Sequence, residues 1–174
     1  MAELVYLSLG SNLGNREAHL RRAIAELETM GTVRALSSFY ETQPVGSIDQ
    51  PWFLNCVAAL ETEKSPRELL DVVLNIEAGM GRVRMQEKGP RNIDIDILLF
   101  GDRIVSEPRL KIPHPAMQER RFVLEPLVEI APDVRHPLFK KTASRLLQEL
   151  NENQIVRKIW DHREFELKSR PPQP

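Results

Sequence analysis

The alternation of hydrophobic and polar positions predicts a strand, a helix and two further strands in the first third of the chain. An apolar, β-rich run stops at the turn Gly10-Ser11-Asn12-Leu13-Gly14, after which apolar residues recur at helical spacing until Gly31. Asn15 immediately precedes this helix and is a suitable N-cap. Two longer apolar runs follow, separated by a loop that contains prolines. The predicted elements are strands at 4–9, 33–41 and 52–62 and a helix that begins at Arg16.

The middle of the chain predicts a second helix and a fourth strand. Ser65-Pro66-Arg67-Glu68 combines a Ser-x-x-Glu capping box with proline at the first helical position, and both features are typical of a helix start. The apolar stripe of this helix continues to Gly79 or Gly81. A polar loop then leads into an apolar strand at 93–100. The order βαββαβ predicts an α+β, ferredoxin-like core, in which helices flank a mostly antiparallel sheet.

The last third of the chain has a less regular pattern. It predicts a short strand at 104–105, a helix at 121–130 interrupted by Pro126, a capped helix at 142–149 and a final strand at 155–160. The segment 161–174 has few apolar residues and three prolines, so we expect it to be a mobile tail. We therefore predict a single domain over residues 1–160.

Composition and charge restrict the classes of partner and compartment. The chain has 174 residues, of which 41% are hydrophobic and 28% charged, and its net charge of -1 does not indicate a nucleic-acid or membrane partner. Cys56 is the only cysteine, so no internal disulfide can form. The first residues lack the pattern of a signal peptide, and no apolar stretch approaches the roughly 20 residues of a membrane span. We expect a cytoplasmic protein, and nothing in the sequence requires more than a monomer.

Asp94 and Asp96 are the most informative pair of residues. Side chains two apart in a strand share a face, so both carboxylates point the same way, roughly 7 Å apart along the strand. The alternate positions of the strand point to the opposite face, into a core. They are Ile93, Ile95, Ile97 and Leu99. Two neighbouring carboxylates repel and favour a bound cation, and Mg²⁺ prefers carboxylate oxygens beside substrate phosphates. An isolated Asp-x-Asp, however, is more often a solvated strand face.

The loop that precedes this strand is basic. It carries Arg82, Arg84, Lys88 and Arg91. Phosphoryl transfer requires cations that neutralise phosphate charge and carboxylates that hold a bridging metal, and guanidinium groups suit phosphate geometry. A basic loop alone is usually only a solvated surface, but next to the aspartate pair it favours a phosphate-handling site. The P-loop and protein-kinase motifs are absent, and Cys and His are too sparse for zinc. These residues together predict a site that handles phosphate groups with the help of a magnesium ion.

Several blocks in chain order resemble the 6-hydroxymethyl-7,8-dihydropterin pyrophosphokinases, a family of folate biosynthesis. Gly-Pro-Arg-Asn-Ile-Asp-Ile-Asp at 89–96, with the strand to Phe100, resembles the family signature. Leu-Gly-Ser-Asn-Leu-Gly at 9–14 resembles the family's N-terminal turn. Blocks at 38–42 and 50–55 resemble its pterin-binding loop and strand. Further matching blocks are 81–84, 112–115, 125–127 and 130–132. Together these blocks span most of the chain and are more specific than any one of them.

The resemblance implies a reaction and a set of residues. The hydroxymethyl oxygen of the pterin attacks the β-phosphorus of ATP, the diphosphate moves as a unit, and AMP leaves. The single domain would be catalytic, with two Mg²⁺ ions held by Asp94 and Asp96 and the phosphates met by Arg82 and Arg91. The implied ATP-binding set is Glu77, Arg82, Arg84, Arg91, Arg109, Lys111, His114 and Arg120. The implied pterin-binding set is Thr42, Pro44, Val45, Phe53, Asn55 and Phe122.

The implied pterin residues have ordinary structural explanations as well. Without the resemblance, Phe53 and Phe122 would be core aromatics and Asn55 a satisfied polar residue at a strand end. The resemblance instead implies that Phe122 stacks on the pterin ring and that the Asn55 amide binds the ring edge. Two departures from the family pattern matter: Lys88 occupies the place of a tryptophan that closes over the pterin, and proline follows His114 in place of an aromatic residue. We therefore expect lid closure to depend more on charge than on stacking.

Two other functions remain open at this point. Another magnesium-dependent phosphotransferase or a phosphohydrolase could use the same aspartate pair, and a hydrolase would release free phosphate instead of AMP. A ferredoxin-like binding module without chemistry would keep its ligand binding after Asp94→Asn.

Overall fold

The computed structural model of the protein describes residues 1–44, 49–81 and 92–160. The strands in this part of the chain are β1 (Glu3–Ser11), β2 (Thr32–Leu36), β3 (Phe39–Thr42), β4 (Phe53–Thr62), β5 (Asp94–Phe100), β6 (Val105–Glu107), β7 (Leu110–Ile112) and β8 (Val156–Trp160). The helices are α1 (Arg16–Glu28), α2 (Pro66–Gly79), α3 (Arg121–Ile130) and α4 (Ala143–Glu149), with a short 3₁₀ turn at Met117–Glu119. The predicted mobile tail at 161–174 lies outside the described residues.

Six of these strands form one antiparallel sheet. Its order is β5–β1–β4–β3–β8, and β2 pairs with β4 next to β3. Helix α1 connects β1 to β2 and helix α2 connects β4 to β5, and in each unit one other strand lies between the two connected strands. This is the strand order of a ferredoxin-like βαββαβ core, so the predicted α+β class is confirmed. Strands β6 and β7 form a separate hairpin.

Helices cover both faces of the sheet. Leu27 of α1 and Leu69 of α2 belong to the larger core, together with apolar side chains of β1, β4 and β5. Val123 and Leu127 of α3 form a second cluster with Val57 of β4. Because side chains alternate between the two faces of a strand, Val57 lies on the face opposite to its neighbours in the larger core. Helix α3 therefore packs on the face of the sheet that α1 and α2 leave open.

The helix starts follow the predicted capping residues. The side chain of Asn15 accepts a hydrogen bond from the N–H of Ala18 at 3.1 Å. Ser65 and Glu68 form a reciprocal capping box, with distances of 3.2 and 3.1 Å. Among the described residues, no helix combines the length and the apolar composition that a membrane span requires.

Two elements differ from their predicted form. The predicted strand at 33–41 is divided into β2 and β3, because Ser37 interrupts the ladder with β4. The N–H of Ser37 donates to the Val57 carbonyl, and the N–H of Val57 donates to the Ser37 hydroxyl, both at 2.9 Å. Pro126 is buried inside an uninterrupted α3, so the predicted interruption of this helix was wrong.

The face assigned to Leu99 was wrong. Its side chain joins the cluster under α3, whereas Ile95 and Ile97 belong to the larger core as predicted. The reason is a register shift between β1 and β5, where Tyr6 pairs with Leu99 but Leu7 pairs with Ile97. Such a β-bulge places consecutive residues on one face and so reverses the alternation beyond it.

Candidate active site

A cleft of about 130 Å³ lies on the face of the sheet that α3 partly covers. Strands β1, β3, β4 and β5, the start of α3 and the segment before β8 all contribute to its walls. The lining residues are Ser8, Gly10, Thr42, Gln43, Gln50, Phe53, Asn55, Asp94, Asp96, Arg120, Phe122 and Gln154. The cleft thus brings together residues that are distant in the sequence and that belong to both predicted substrate sets.

The strand register explains how two chemically different halves meet in this cleft. Gly10 of β1 pairs with Asp94 of β5 on one side and with Asn55 of β4 on the other. Directly paired residues share a face, so these three positions form one row across the sheet. Ser8 pairs with Asp96 in the parallel row. Ser8 and Gly10 of β1, whose side chains are small or absent, therefore lie between two halves of the cleft. The carboxylate half carries Asp94 and Asp96, and the amide half carries Asn55.

A guanidinium and an imidazole lie beside the Asp96 carboxylate. Arg120 Nη1 lies 3.9 Å from Asp96 Oδ2, and His114 Nε2 lies 3.9 Å from Asp96 Oδ1. The Asp96 side chain is 33% exposed, so its carboxylate remains accessible from the cleft. Both distances are longer than a hydrogen bond, and carboxylate oxygens are the ligands that a hard cation such as Mg²⁺ prefers.

His114 is held in one orientation next to this carboxylate. The N–H of Ala116 donates to His114 Nδ1 at 3.1 Å, so the ring proton is assigned to Nε2, which faces Asp96. Burial, followed by the nearby Arg120 guanidinium, lowers the pKa of His114 from 6.5 to about 4, although Asp94 acts in the opposite direction. The imidazole is therefore neutral at pH 7, and its Nε2–H is a hydrogen-bond donor directed at the carboxylate half.

Glu77 supports the carboxylate strand from α2. It is only 3% exposed, and its Oε2 accepts a hydrogen bond from the N–H of Ile95 at 3.1 Å. Ile95 lies between the two aspartates, so this contact fixes the backbone of β5 where they project. The predicted contact of Glu77 with ATP stays a prediction.

The amide half of the cleft is organised by Asn55 and Thr42. Asn55 Nδ2 donates a hydrogen bond to the Thr42 hydroxyl, and the two residues are 4% and 1% exposed. The aromatic rings of Phe53 and Phe122 line the same half. Arg120 Cζ lies 5.6 Å from the centroid of the Phe122 ring, so one guanidinium contacts both halves of the cleft.

The turn after β1 holds the segment that leads into β4. Asn12 Nδ2 donates to Gln50 Oε1 at 2.8 Å and to the Pro51 carbonyl at 3.0 Å. Arg16 Nη1 donates to the Trp52 carbonyl at 3.0 Å. This turn therefore positions the wall of the cleft that carries Gln50.

Comparison with known proteins identifies the family. A model described as 7,8-dihydro-6-hydroxymethylpterin-pyrophosphokinase (HPPK) matches residues 6–132. The chain belongs to this family. It is 47% identical over 139 residues to a 2-amino-4-hydroxy-6-hydroxymethyldihydropteridine pyrophosphokinase of Pseudomonas aeruginosa, a match that covers 79% of this chain and 86% of the relative. The enzyme of the same name from Haemophilus influenzae is 40% identical over 164 residues, covering 93% of this chain and 96% of the relative.

Solved structures share the fold. Plasmodium falciparum HPPK-DHPS wild type with pteroate matches with a TM-score of 0.69 and 17% sequence identity over 86% of this chain. The wild-type structure with pterin and p-hydroxybenzoate matches with a TM-score of 0.68 and 18% identity, also over 86% of this chain. The protein described here spans 42% of each of those two solved chains.

The lining residues of the described cleft do not include every predicted site residue. Arg109 and Lys111 are exposed on the β6–β7 hairpin and are not among the residues that line the cleft. Pro44 lies at the end of a described range and does not line the cleft either. The other predicted positions fall outside the described residues: Val45, Arg82, Arg84 and Arg91, together with Lys88 at the expected lid.

The sequence patterns did not predict that Ser8, Gly10, Gln43 and Gln154 line the cleft. For Gly10 a signal was present, because glycine inside an apolar strand often marks a close approach of another group. A Cβ at this position would overlap Asn55 Oδ1 and lie 3.4 Å from the Phe53 ring. No comparable signal marks Gln43 or Gln154, whereas Gln50 begins the block at 50–55 that resembles the family's pterin-binding segment.

Proposed function

We propose that the described cleft transfers the diphosphate of ATP to the hydroxymethyl group of 6-hydroxymethyl-7,8-dihydropterin and releases AMP. Membership of the HPPK family makes the chain an ATP-dependent diphosphokinase of folate biosynthesis. The observation that carries the assignment to this cleft is the row Asp94–Gly10–Asn55. It sets a carboxylate for the phosphate side and an amide for the pterin side only two strands apart, roughly 10 Å.

Asp94 and Asp96 are the proposed ligands of two Mg²⁺ ions. Their oxygen atoms are the hard donors that Mg²⁺ prefers, which supports the fit. Among the described residues, no group of three or more His, Cys, Asp or Glu side chains could hold a metal ion without help. ATP phosphate oxygens and water would have to complete the coordination, as is usual for Mg²⁺ in kinases. When bound, the ions would neutralise and orient the phosphate chain.

Arg120 and His114 are proposed to bind the phosphate chain beside the aspartates. The Arg120 guanidinium lies next to Asp96 and over the Phe122 ring, which is where the transferred diphosphate would pass between the two substrates. A cation at this place stabilises the charge that spreads over the phosphate oxygens in the transition state. Neutral His114 offers its Nε2–H to the same group without adding a positive charge. The proposed roles of Arg82, Arg84 and Arg91 rest on the family resemblance.

Asn55, Thr42 and Phe122 are proposed to bind the pterin. The ring edge of a pterin carries both hydrogen-bond donors and acceptors, and an Asn amide can match both. The Asn55–Thr42 hydrogen bond fixes which end of the amide faces the cleft. Phe122 offers its ring for stacking, with Phe53 in the same half. Val45 and Pro44 remain proposed contacts from the adjoining loop.

Product analysis tests this function. The protein is incubated with the pterin alcohol, ATP and Mg²⁺, and the nucleotides are separated by chromatography. AMP in a one-to-one ratio with the pyrophosphorylated pterin is expected. Free phosphate that forms equally without pterin would instead support a phosphohydrolase. Asp96→Asn should abolish AMP formation, whereas the matched control Asp102→Asn, on the exposed turn after the same strand, should leave it unchanged.

We also propose that residues 1–160 form the catalytic domain of a cytoplasmic monomer. A chain that ends after Trp160 should keep the activity of the full chain. Light scattering should give the mass of a single chain for both proteins, and a dimer mass would contradict the proposed monomer.

A further inference from the structure

The four residues immediately before β8 include Gln154, which lines the cleft. This segment, residues 152–155, is here termed the strap. At one end, Arg121 Nε at the start of α3 donates to Glu152 Oε1 at 2.9 Å. At the other end, the N–H of Gln43 donates to the Ile155 carbonyl at 3.0 Å. The strap therefore connects the start of α3 to the segment that follows β3.

The side-chain amide of Gln154 adds a further connection between α3 and the segment that follows β3. Its Nε2 donates to the Gln43 carbonyl at 2.6 Å, and its Oε1 accepts from the N–H of Phe122 at 3.3 Å. Phe122 is the second residue of α3, so its N–H has no acceptor within the helix. The N–H of Gln154 donates to Glu152 Oε2 at 3.0 Å, which orients the backbone that carries the amide. The side chain also lines the cleft.

The two groups that this amide joins are the two walls of the proposed pterin site. One wall is formed by Thr42 and Gln43, and the other carries the Phe122 ring. We propose that Gln154 is a positioning residue for the pterin substrate, which holds these two walls at the separation that the flat ring requires. The inference rests on the proposed function of the cleft. It concerns a residue beyond the segment 6–132 that matches the family model.

The effect should fall on the pterin and spare the nucleotide. Gln154 contacts Gln43 and Phe122 but has no described hydrogen bond to Asp96, Arg120 or His114. Walls that are fixed before binding reduce the ordering cost that the ligand must overcome. Removal of the amide releases two hydrogen bonds in the pterin half and no described hydrogen bond in the carboxylate half.

Steady-state kinetics of Gln154→Ala provide the test. The KM for the pterin alcohol at saturating ATP should rise about threefold to tenfold, as expected for the loss of one net hydrogen bond or slightly more. The kcat and the KM for ATP should stay within twofold of the unaltered protein. Gln154→Glu keeps an acceptor for the Phe122 N–H but places a carboxylate oxygen against the Gln43 carbonyl, so its pterin KM should rise at least as much. Gln148→Ala, on the exposed side of α4, is the matched control and should change neither constant.

The outcomes separate this inference from the proposed function. An unchanged pterin KM in Gln154→Ala overturns the positioning role. So does a parallel loss in kcat and in both KM values with a lowered thermal midpoint, because that pattern indicates a general structural role. Equilibrium binding of the pterin alcohol, followed by its fluorescence, should show the same weakening. If the unaltered protein binds the pterin but forms no AMP, the proposed function fails while the binding data still decide the role of Gln154.

Discussion

Replacement of Glu129 by glutamine probes the contact that holds α3 on β3. The Glu129 carboxylate accepts hydrogen bonds from the N–H of Ser38 and, at 2.9 Å, from the hydroxyl of Tyr40. Lys158 of β8 lies 3.1 Å from the same carboxylate. Helix α3 carries Phe122 and β3 ends at Thr42, so this contact sets the relative position of two walls of the cleft. Its loss should lower the stability of the fold.

The expected magnitude follows from the two buried donors. Ser38 is 3% exposed and Tyr40 is 6% exposed, and a hydrogen bond to a charged group stabilises by about 1.5–3 kcal/mol. Glutamine keeps one acceptor oxygen at nearly the same place but loses the charge and the second acceptor. We therefore expect Glu129→Gln to lower the free energy of unfolding by about 1–3 kcal/mol. The ion pair with Lys158 adds little, because the Lys158 side chain is 52% exposed.

The difference between the two proteins should depend on pH. Burial raises the pKa of Glu129, but the hydrogen bonds from Ser38, Lys158 and Tyr40 outweigh it, so that this pKa lies below its ordinary value of 4.5. A carboxyl group with a lowered folded-state pKa contributes its full stability above the unfolded-state pKa. That contribution is lost as the pH falls below 4.5 and through the lower folded-state pKa. The stability gap between the unaltered protein and Glu129→Gln should therefore narrow in this window.

Urea denaturation followed by circular dichroism measures the gap at pH 7 and in steps below pH 5. Glu125→Gln is the matched control one turn earlier on α3, where the carboxylate contacts only the Arg121 side chain, at 3.3 Å, among the described residues. The control should cost no more than about 0.5 kcal/mol. Values for Glu129→Gln within about 0.5 kcal/mol of the unaltered protein would refute the reasoning. A gap that persists unchanged at low pH would refute the pKa argument alone.

Two further substitutions and one chemical modification have definite expected outcomes. Asp96→Asn should lower kcat/KM at least about a thousandfold, since a lost metal ligand costs several kcal/mol in the transition state, without lowering the thermal midpoint; activity within tenfold would contradict this. Gly10→Ala should raise the pterin KM, because the new Cβ displaces the Asn55 amide, and an unchanged KM would show that the strands adjust. The thiol of Cys56 is fully buried and its pKa is raised by burial, so a disulfide reagent should modify it only at the rate of unfolding.

Local signals in the sequence predicted most of the fold. The helix starts could be predicted because Asn15 and Ser65 act on the N–H groups of their own helices. The division of the strand at Ser37 could not, because it depends on hydrogen bonds with Val57 on a neighbouring strand. The face of Leu99 depends in the same way on a register shift between two strands. Features set by local chemistry were therefore predictable, whereas the details of register between neighbouring strands were not.

The candidate site shows the same division. Asp94 and Asp96 could be placed on one face from the strand period alone, and both line the cleft. Gly10 and Gln154 reach the cleft only because the sheet order brings β1 next to β5 and returns the chain to β3 through β8. The Arg109 and Lys111 contacts rested on resemblance, and no local pattern tied them to the cleft.

The central claim is that Asp94 and Asp96 together bind the divalent ions that hold the phosphate chain of ATP. Crystals grown with Mn²⁺, the pterin alcohol and α,β-methylene-ATP allow the ions to be located by their anomalous scattering. The account predicts anomalous peaks within about 2.0–2.3 Å of carboxylate oxygens of both residues, with the nucleotide phosphates on the opposite side of the ions. Peaks that contact neither carboxylate, or a bound nucleotide with both side chains directed away from it, would contradict the account.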